Sequence, residues 1–424
     1  MQTDMLERQI PRLLEELADE HTPDYYDDLF WQTARTSQRS AWTIRERWLP
    51  MLEIARRPVV VQTPWRPFLL LALLVAAVAA GHVLAGARQK LPPLTGPAGN
   101  GLVVMSRDGD IYTYDPRTGA SRAIVTGPES DLDPIWSPDG TRILFVREAP
   151  DGSGATLLIA RADGGGVRQL TPDPLTDLSS YDISTDGRSV VLVASDRGIP
   201  SLWVASTDGG ELHHLLPGKT VWGAKFRPTG TDILFIGADG SDGSYSAVDL
   251  IDSDGTNLRT IVEPNLYAPM AGDPDWSPDG SRIAYSRWLP SQKQIRVSVI
   301  AASGTGDTVV GHQDGAWLEM SPTWSPDGRS LLVERKTGTE DVWTNPSMPV
   351  IVSVDGSAPD VAIRFETANG MSHKWAPDGT AIQATPQDAD GNGLQQQLWD
   401  ARTGEAKDAP WTATSYPAWQ RVAP

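Results

Sequence analysis

Ten side chains stand where a ligand or a reacting bond would have to meet this chain: Asp131, Asp133, Tyr181, Asp182, Trp222, Tyr267, Asp273, Trp317, Glu319 and Tyr416. Five are carboxylates and five are aromatic rings. Rings supply desolvated contact area and carboxylates fix orientation, so the set suits a peptide, a glycan or a cationic ligand. A second chemistry uses the acids alone. Two carboxylates at a defined separation, one with a raised pKa, make a general acid and base for cleaving glycans or peptides. Asp133, Asp182 and Asp273 are the acids at hand for it.

Other chemistry is scarce. There is no cysteine, which removes thiol nucleophiles, disulfides and cysteine zinc sites. No Gly-x-Ser-x-Gly elbow and no Gly-x-x-x-x-Gly-Lys phosphate loop occurs. His213 and His214 are adjacent on an expected strand, so their side chains point to opposite faces and cannot grip one metal. Asp388, Asp390 and Asn392, in Asp388-Ala389-Asp390-Gly391-Asn392-Gly393, match the first six positions of a calcium-binding loop. The twelfth position is Trp399 in place of a bidentate Glu, and Asp-Gly turns abound here. A plain hairpin is the expected reading, with low-affinity calcium as the alternative and no other cofactor.

Those side chains need a scaffold, and the scaffold repeats. Trp136-Ser137-Pro138-Asp139-Gly140 returns as Ile183-Ser184-Thr185-Asp186-Gly187, Phe226-Arg227-Pro228-Thr229-Gly230 and Trp276-Ser277-Pro278-Asp279-Gly280. Trp324-Ser325-Pro326-Asp327-Gly328 and Trp375-Ala376-Pro377-Asp378-Gly379 follow, and Trp419 continues the series without its turn. The leading apolar positions are spaced by 47, 43, 50, 48, 51 and 44 residues. A period of about 40–50 residues is that of propeller blades. Pro presets φ for the first central position of a type I turn, Asp suits the second, and Gly launches the returning strand.

Each turn is followed by an apolar run, then by strands ending in a second tight turn such as Asp163-Gly164 or Asp254-Gly255. Four strands per repeat make a blade. Residues 102–126 supply three strands and lack a first, which Ala418–Val422 offers from the far terminus. The expected fold is therefore an all-β, seven-bladed β-propeller over residues 101–424, closed by pairing 102–126 with 418–422. Six blades is the alternative, with 181–215 or 222–262 as an insertion. The ten candidate side chains fall in the connections from the outer strand of one blade to the inner strand of the next, on one face around the channel.

What precedes the repeats differs. Residues 67–87 carry no formal charge and are Leu-, Ala- and Val-rich on every face. At about 1.5 Å per residue they span roughly 30 Å, the thickness of a bilayer core. His82 within them reads as a neutral imidazole near the outer interface. Arg45, Arg47, Arg56, Arg57 and Arg66 precede the stretch, and Arg88 and Lys90 follow it. The positive side stays cytoplasmic. The expectation is a single-pass plasma-membrane protein with its amino terminus inside and its propeller outside. Residues 88–100 are a linker, rich in Pro and Gly. Residues 1–66 form a small helical cytoplasmic segment, with Leu6, Ile10, Leu13, Leu14 and Leu17 at helical spacing.

The net charge is −18, and residues 101–424 hold 25 Lys and Arg against 43 Asp and Glu. A domain that acidic repels phosphate backbones, so nucleic acid is not an expected partner.

The repeated Trp-Ser-Pro-Asp-Gly turn ahead of an apolar strand resembles the WD-like repeat of the TolB-like propeller family. Four copies keep Pro-Asp-Gly intact, and the pattern departs at Thr185-Asp186-Gly187 and Pro228-Thr229-Gly230. The resemblance implies a platform that binds a protein or a ligand. Cytoplasmic helices, one span and an outer domain are similar in layout to membrane-bound anti-sigma factors, although the His/Cys zinc motif of many of those is absent. The expected function is thus an anchored scaffold or sensor, binding a protein or glycan at the propeller face and relaying to a cytoplasmic regulator through 1–66. An enzyme using channel carboxylates is the alternative.

Overall fold

The computed structural model describes residues 96–171, 174–239, 245–265, 274–289, 291–311, 317–337, 347–363, 372–385 and 395–423. The helical segment expected over 1–66, the span expected over 67–87, Tyr267, Asp273 and the Asp388–Asn392 stretch lie outside these residues. Among the described residues every regular element is a strand, and no helix there is long and apolar enough to cross a membrane.

The repeated turn folds as its residue types dictate. In blade 2, the Ser137 hydroxyl donates to the Asp139 carboxylate at 2.6 Å and accepts from the Arg142 amide at 2.9 Å. Asp139 also accepts the Thr141 amide at 3.0 Å, and Gly140 takes φ 68°. The same bonds recur at Ser184–Ser189, Ser277–Arg282 and Ser325–Ser330. Each turn delivers its apolar run as the second strand of a sheet.

Seven four-stranded antiparallel sheets result. We number them as blades by their inner strands: Ala418–Val422 (blade 1), Asp131–Trp136 (2), Ser180–Ile183 (3), Thr220–Phe226 (4), Asp275–Trp276 (5), Trp317–Trp324 (6) and Ser372–Trp375 (7). The segments considered as an insertion each form a complete blade, so the count is seven. In blade 1, the inner strand comes from the carboxyl-terminal end: Gly99 pairs with Val422 and Val104 with Ala418. Several outer strands are only two residues long, such as Arg168–Gln169 and Val361–Ala362.

The core lies between blades. Val104, Trp136 and Phe145 pack blade 1 on blade 2, and Leu144, Val190 and Leu192 pack blade 2 on blade 3. Equivalent clusters fill the remaining junctions round to blade 7 on blade 1, where Trp411 meets Val103 and Tyr114. Motif tryptophans add a hydrogen bond across three junctions. Trp136 Nε1 donates to the Ala418 carbonyl at 3.2 Å, Trp324 Nε1 to Asp275 at 3.2 Å and Trp375 Nε1 to Thr323 at 3.3 Å. In each case the acceptor is the residue just before the preceding blade's motif position.

Candidate functional site

Three inner strands carry a bulge at one shared position. Asp133, Gly223 and Ser321 each stand three residues before the motif aromatic, with φ of 50°, 51° and 53°, and the pairing register shifts there in all three. A left-handed residue inserted in a strand turns the following side chains. It leads each strand down to the position just before the motif aromatic.

In ring order from blade 1, that position holds Ala418, Ile135, Asp182, Lys225, Asp275, Thr323 and Lys374. All but Thr323 line two cavities of about 330 and 390 Å³ that share Trp136, Asp182, Pro326, Trp419 and Arg421 and form one channel. Indoles of Trp136, Trp276, Trp324, Trp375 and Trp419 wall it, and turn prolines such as Pro138, Pro278 and Pro326 stand at one end.

Most charges in the ring are fastened. Asp182 accepts the Phe226 amide of the next blade at 2.8 Å and the Ile183 amide at 2.9 Å. Burial pushes its carboxyl pKa up, and those amides oppose the rise. Asp275 does the same work one junction on, accepting the Trp324 amide at 2.9 Å, and pairs with Lys225 Nζ at 3.0 Å. The Arg421 guanidinium donates to the Gly96 carbonyl, and burial lowers its pKa.

Lys374 differs. Its ring neighbours are Thr323 and Ala418, neither of them charged, and its ammonium forms no hydrogen bond or ion pair with a described residue. Burial in the channel holds its pKa below the usual lysine value. Asp133 and, more weakly, Asp182 raise it from longer range, and Lys225 lowers it. Its side chain is reachable from the channel although protein surrounds it.

Seven of the residues expected at the face, Asp131, Asp133, Tyr181, Asp182, Trp222, Trp317 and Glu319, sit on inner strands, not in connections, because the inner strands begin at the mouth. Asp131 is no ligand-facing acid: Arg147 binds it at 2.7 and 2.9 Å, and its side chain is 3% exposed. Glu319, at the same repeat position in blade 6, is equally enclosed. Arg335 Nε donates to it at 2.9 Å, Arg296 lies at 3.5 Å, and Arg335 also binds Asp360 at 2.7 Å. Trp222 and Trp317 are half-buried, with the Arg335 guanidinium 5.6 Å from the Trp317 ring. Tyr416 stays exposed, just ahead of the blade 1 inner strand.

Asp133, Tyr181 and Asp182 do come together. The Tyr181 hydroxyl donates to the Asp133 carbonyl, and burial, aided by the Asp133 carboxylate, raises its pKa. Sequence reasoning missed Lys225, Asp275 and Lys374. Aligning the repeats on the residue before each motif aromatic is the signal that finds them. His213 and His214 lie on the outer strand of blade 3, where His214 stacks on Trp203 at 4.0 Å. Among the described residues no group of three or more His, Asp or Glu could hold a metal ion.

No family model matches the chain. The uncharacterized peptidase YuxL of Bacillus subtilis is 26% identical over 180 residues, 42% of this chain and 25% of that protein. The uncharacterized protein Atu1656 of Agrobacterium fabrum is 25% identical over 185 residues, 41% of this chain and 61% of that one. The matched part is thus under two thirds of either relative. Among solved structures, an oligogalacturonate lyase in complex with manganese superposes with a TM-score of 0.52 at 14% identity, over 74% of this chain and 85% of that one. TolB from Acinetobacter baumannii superposes with a TM-score of 0.43 at 17% identity, over 81% and 70%. At these identities the likeness is one of fold.

Proposed function

We propose that this chain is a membrane-anchored binding protein whose propeller channel receives a protein or glycan ligand outside the membrane. One observation carries the reading: the channel is walled by indoles and keeps an unengaged ammonium, while its carboxylates fasten the blades. Asp131, Asp182 and Glu319 are held by arginines or backbone amides, which leaves them poorly placed to exchange protons with a substrate. Rings around a polar centre are the composition of a recognition site. The uncharged stretch over 67–87 supports a membrane span, and the cytoplasmic segment over 1–66 is long enough to dock a regulator.

A propeller enzyme acting on glycans or peptides is the second reading. The peptidase name of one relative and the lyase name of one fold neighbour favour it. It would use Asp133, whose carboxylate acts on Lys374 from longer range.

Capture from detergent-solubilised membranes tests the first reading, comparing the full chain, a version lacking residues 1–60 and a Lys374→Glu variant. The expected result is an envelope protein or glycan that survives the truncation and is lost with Lys374→Glu. A cytoplasmic regulator lost on truncation would add the relay. An envelope ligand held equally by all three would take the binding site out of the channel. Turnover of oligosaccharides or peptides by purified full chain would favour the enzyme.

A further inference from the structure

We propose that the channel contains an anion site centred on the Lys374 ammonium, built for a single carboxylate borne on a flat ring. The inference rests on the channel-binding reading and names the chemistry that the channel selects.

The ring of inward positions carries it. Lys225 and Lys374 occupy equivalent places in blades 4 and 7. Lys225 finds Asp275 in the next blade at 3.0 Å. The position in the next blade from Lys374 is Ala418, and the one behind it is Thr323. The counter-ion that the fold supplies to one lysine is thus withheld from the other. Thr323 is itself engaged, its hydroxyl lying 3.2 Å from His373 Nε2.

A partly buried ammonium that no carboxylate pairs directly binds an anion more strongly than a surface lysine does, because the surrounding dielectric is lower. The domain's negative surface makes such a site selective. Its net charge repels polyanions, and Asp133 and Asp182 disfavour a second negative charge beside the first. A monoanionic carboxylate meets the ammonium against less repulsion from these two acids than a phosphate dianion would. Trp375 and Trp419 line the same 390 Å³ cavity as Lys374, which gives the body of the ligand flat apolar walls.

Benzoate and its neutral isostere benzamide serve as probes, titrated calorimetrically into the detergent-solubilised full chain. The wild type should bind benzoate at least about tenfold more tightly than benzamide, as expected for a charge-assisted hydrogen bond. Lys374→Met should abolish that preference while its melting temperature stays level or rises. Ala418→Asp, which recreates the arrangement around Lys225, should also remove benzoate binding by supplying an internal counter-ion.

Benzoate held as tightly by Lys374→Met as by the wild type would overturn the anion site. Equal binding of benzoate and benzamide to the wild type would overturn it too, yet leave the channel as a binding site. Failure of both probes at millimolar concentration also rejects the anion site, and the partner capture described above then decides the wider reading separately.

Discussion

At the inner radius of blade 7 burial opposes the charge of Lys374. Removing that charge should stabilise the empty protein: Lys374→Met is expected to raise unfolding free energy by about 1–3 kcal/mol, the range for an uncompensated buried polar group. Urea titration at neutral pH measures it. The folded pKa lies below the unfolded one, so the penalty is full at low pH and vanishes above about pH 10.4, the unfolded value. The gain from Lys374→Met should therefore disappear in strongly alkaline buffer. Glu319 is the opposite case. Its charge is enclosed between Arg296 and Arg335, and Glu319→Gln would remove the carboxylate they share, leaving Arg335 on Asp360 and Arg296 on Gln294. The expected loss is about 3–5 kcal/mol, as for one partner removed from a buried pair, read from the same titration. Neither role was legible in residue types. The inward column reads Ala, Ile, Asp, Lys, Asp, Thr, Lys, with no recurring pattern for the eye to catch. Asp131 and Glu319 were found as acids, but their arginines stand 16 residues away on the next strand and only pairing register joins them.

At the scale of turns and strands the sequence was most transparent. Ser-Pro-Asp-Gly dictates its own hydrogen bonds locally, so a turn can be read without knowing its surroundings. Asp279 accepts from the Ser277 hydroxyl at 2.6 Å and from the Ser281 amide at 3.0 Å. Asp279→Ala should cost about 1–3 kcal/mol for the lost charge-assisted bonds, seen as a lower melting temperature. The turns also set the acid limit. Hydroxyls of Ser357 and Ser353 and the Ser357 amide hold Asp355 down at about 2. In Asp139, burial raises the pKa, and bonds from Ser137 and Thr141 outweigh it. A carboxyl lowered in the folded state stabilises above its unfolded value and ceases to do so as pH falls through the folded one. Melting temperature should thus stay level down to about pH 4, the unfolded value, and then fall towards pH 2. An Asp355→Asn variant should lose less over that window. The bulges were hidden for a reason. Asp, Gly and Ser share the left-handed position, and at two of the three the bulge amide donates to a hydroxyl of the neighbouring blade. The Asp133 amide donates to Ser415 Oγ at 3.1 Å and the Ser321 amide to Ser286 Oγ at 3.2 Å.

For the molecule as a whole, period and turn chemistry together foretold seven sheets, because each blade buries its faces only against its neighbours. Pairing the last strand with Gly99–Val104 leaves no unpaired inner edge in blade 1. A chain ending at Ser415 should expose that edge, lose its single cooperative transition and associate, as urea titration and size-exclusion chromatography would show. The indole bonds are unevenly shared around the circle. They cross the junctions of blades 1 with 2, 5 with 6 and 6 with 7. Across the arc from blade 2 to blade 5 the motif residues are Ile183, Phe226 and Trp276, and the Trp276 Nε1 is buried with no hydrogen-bond partner among the described residues. Across that arc the blades are joined by other chemistry, Asp182 taking the Phe226 amide and Lys225 pairing with Asp275, so the ring is held by indoles on one side and by charges on the other despite its near sevenfold repetition.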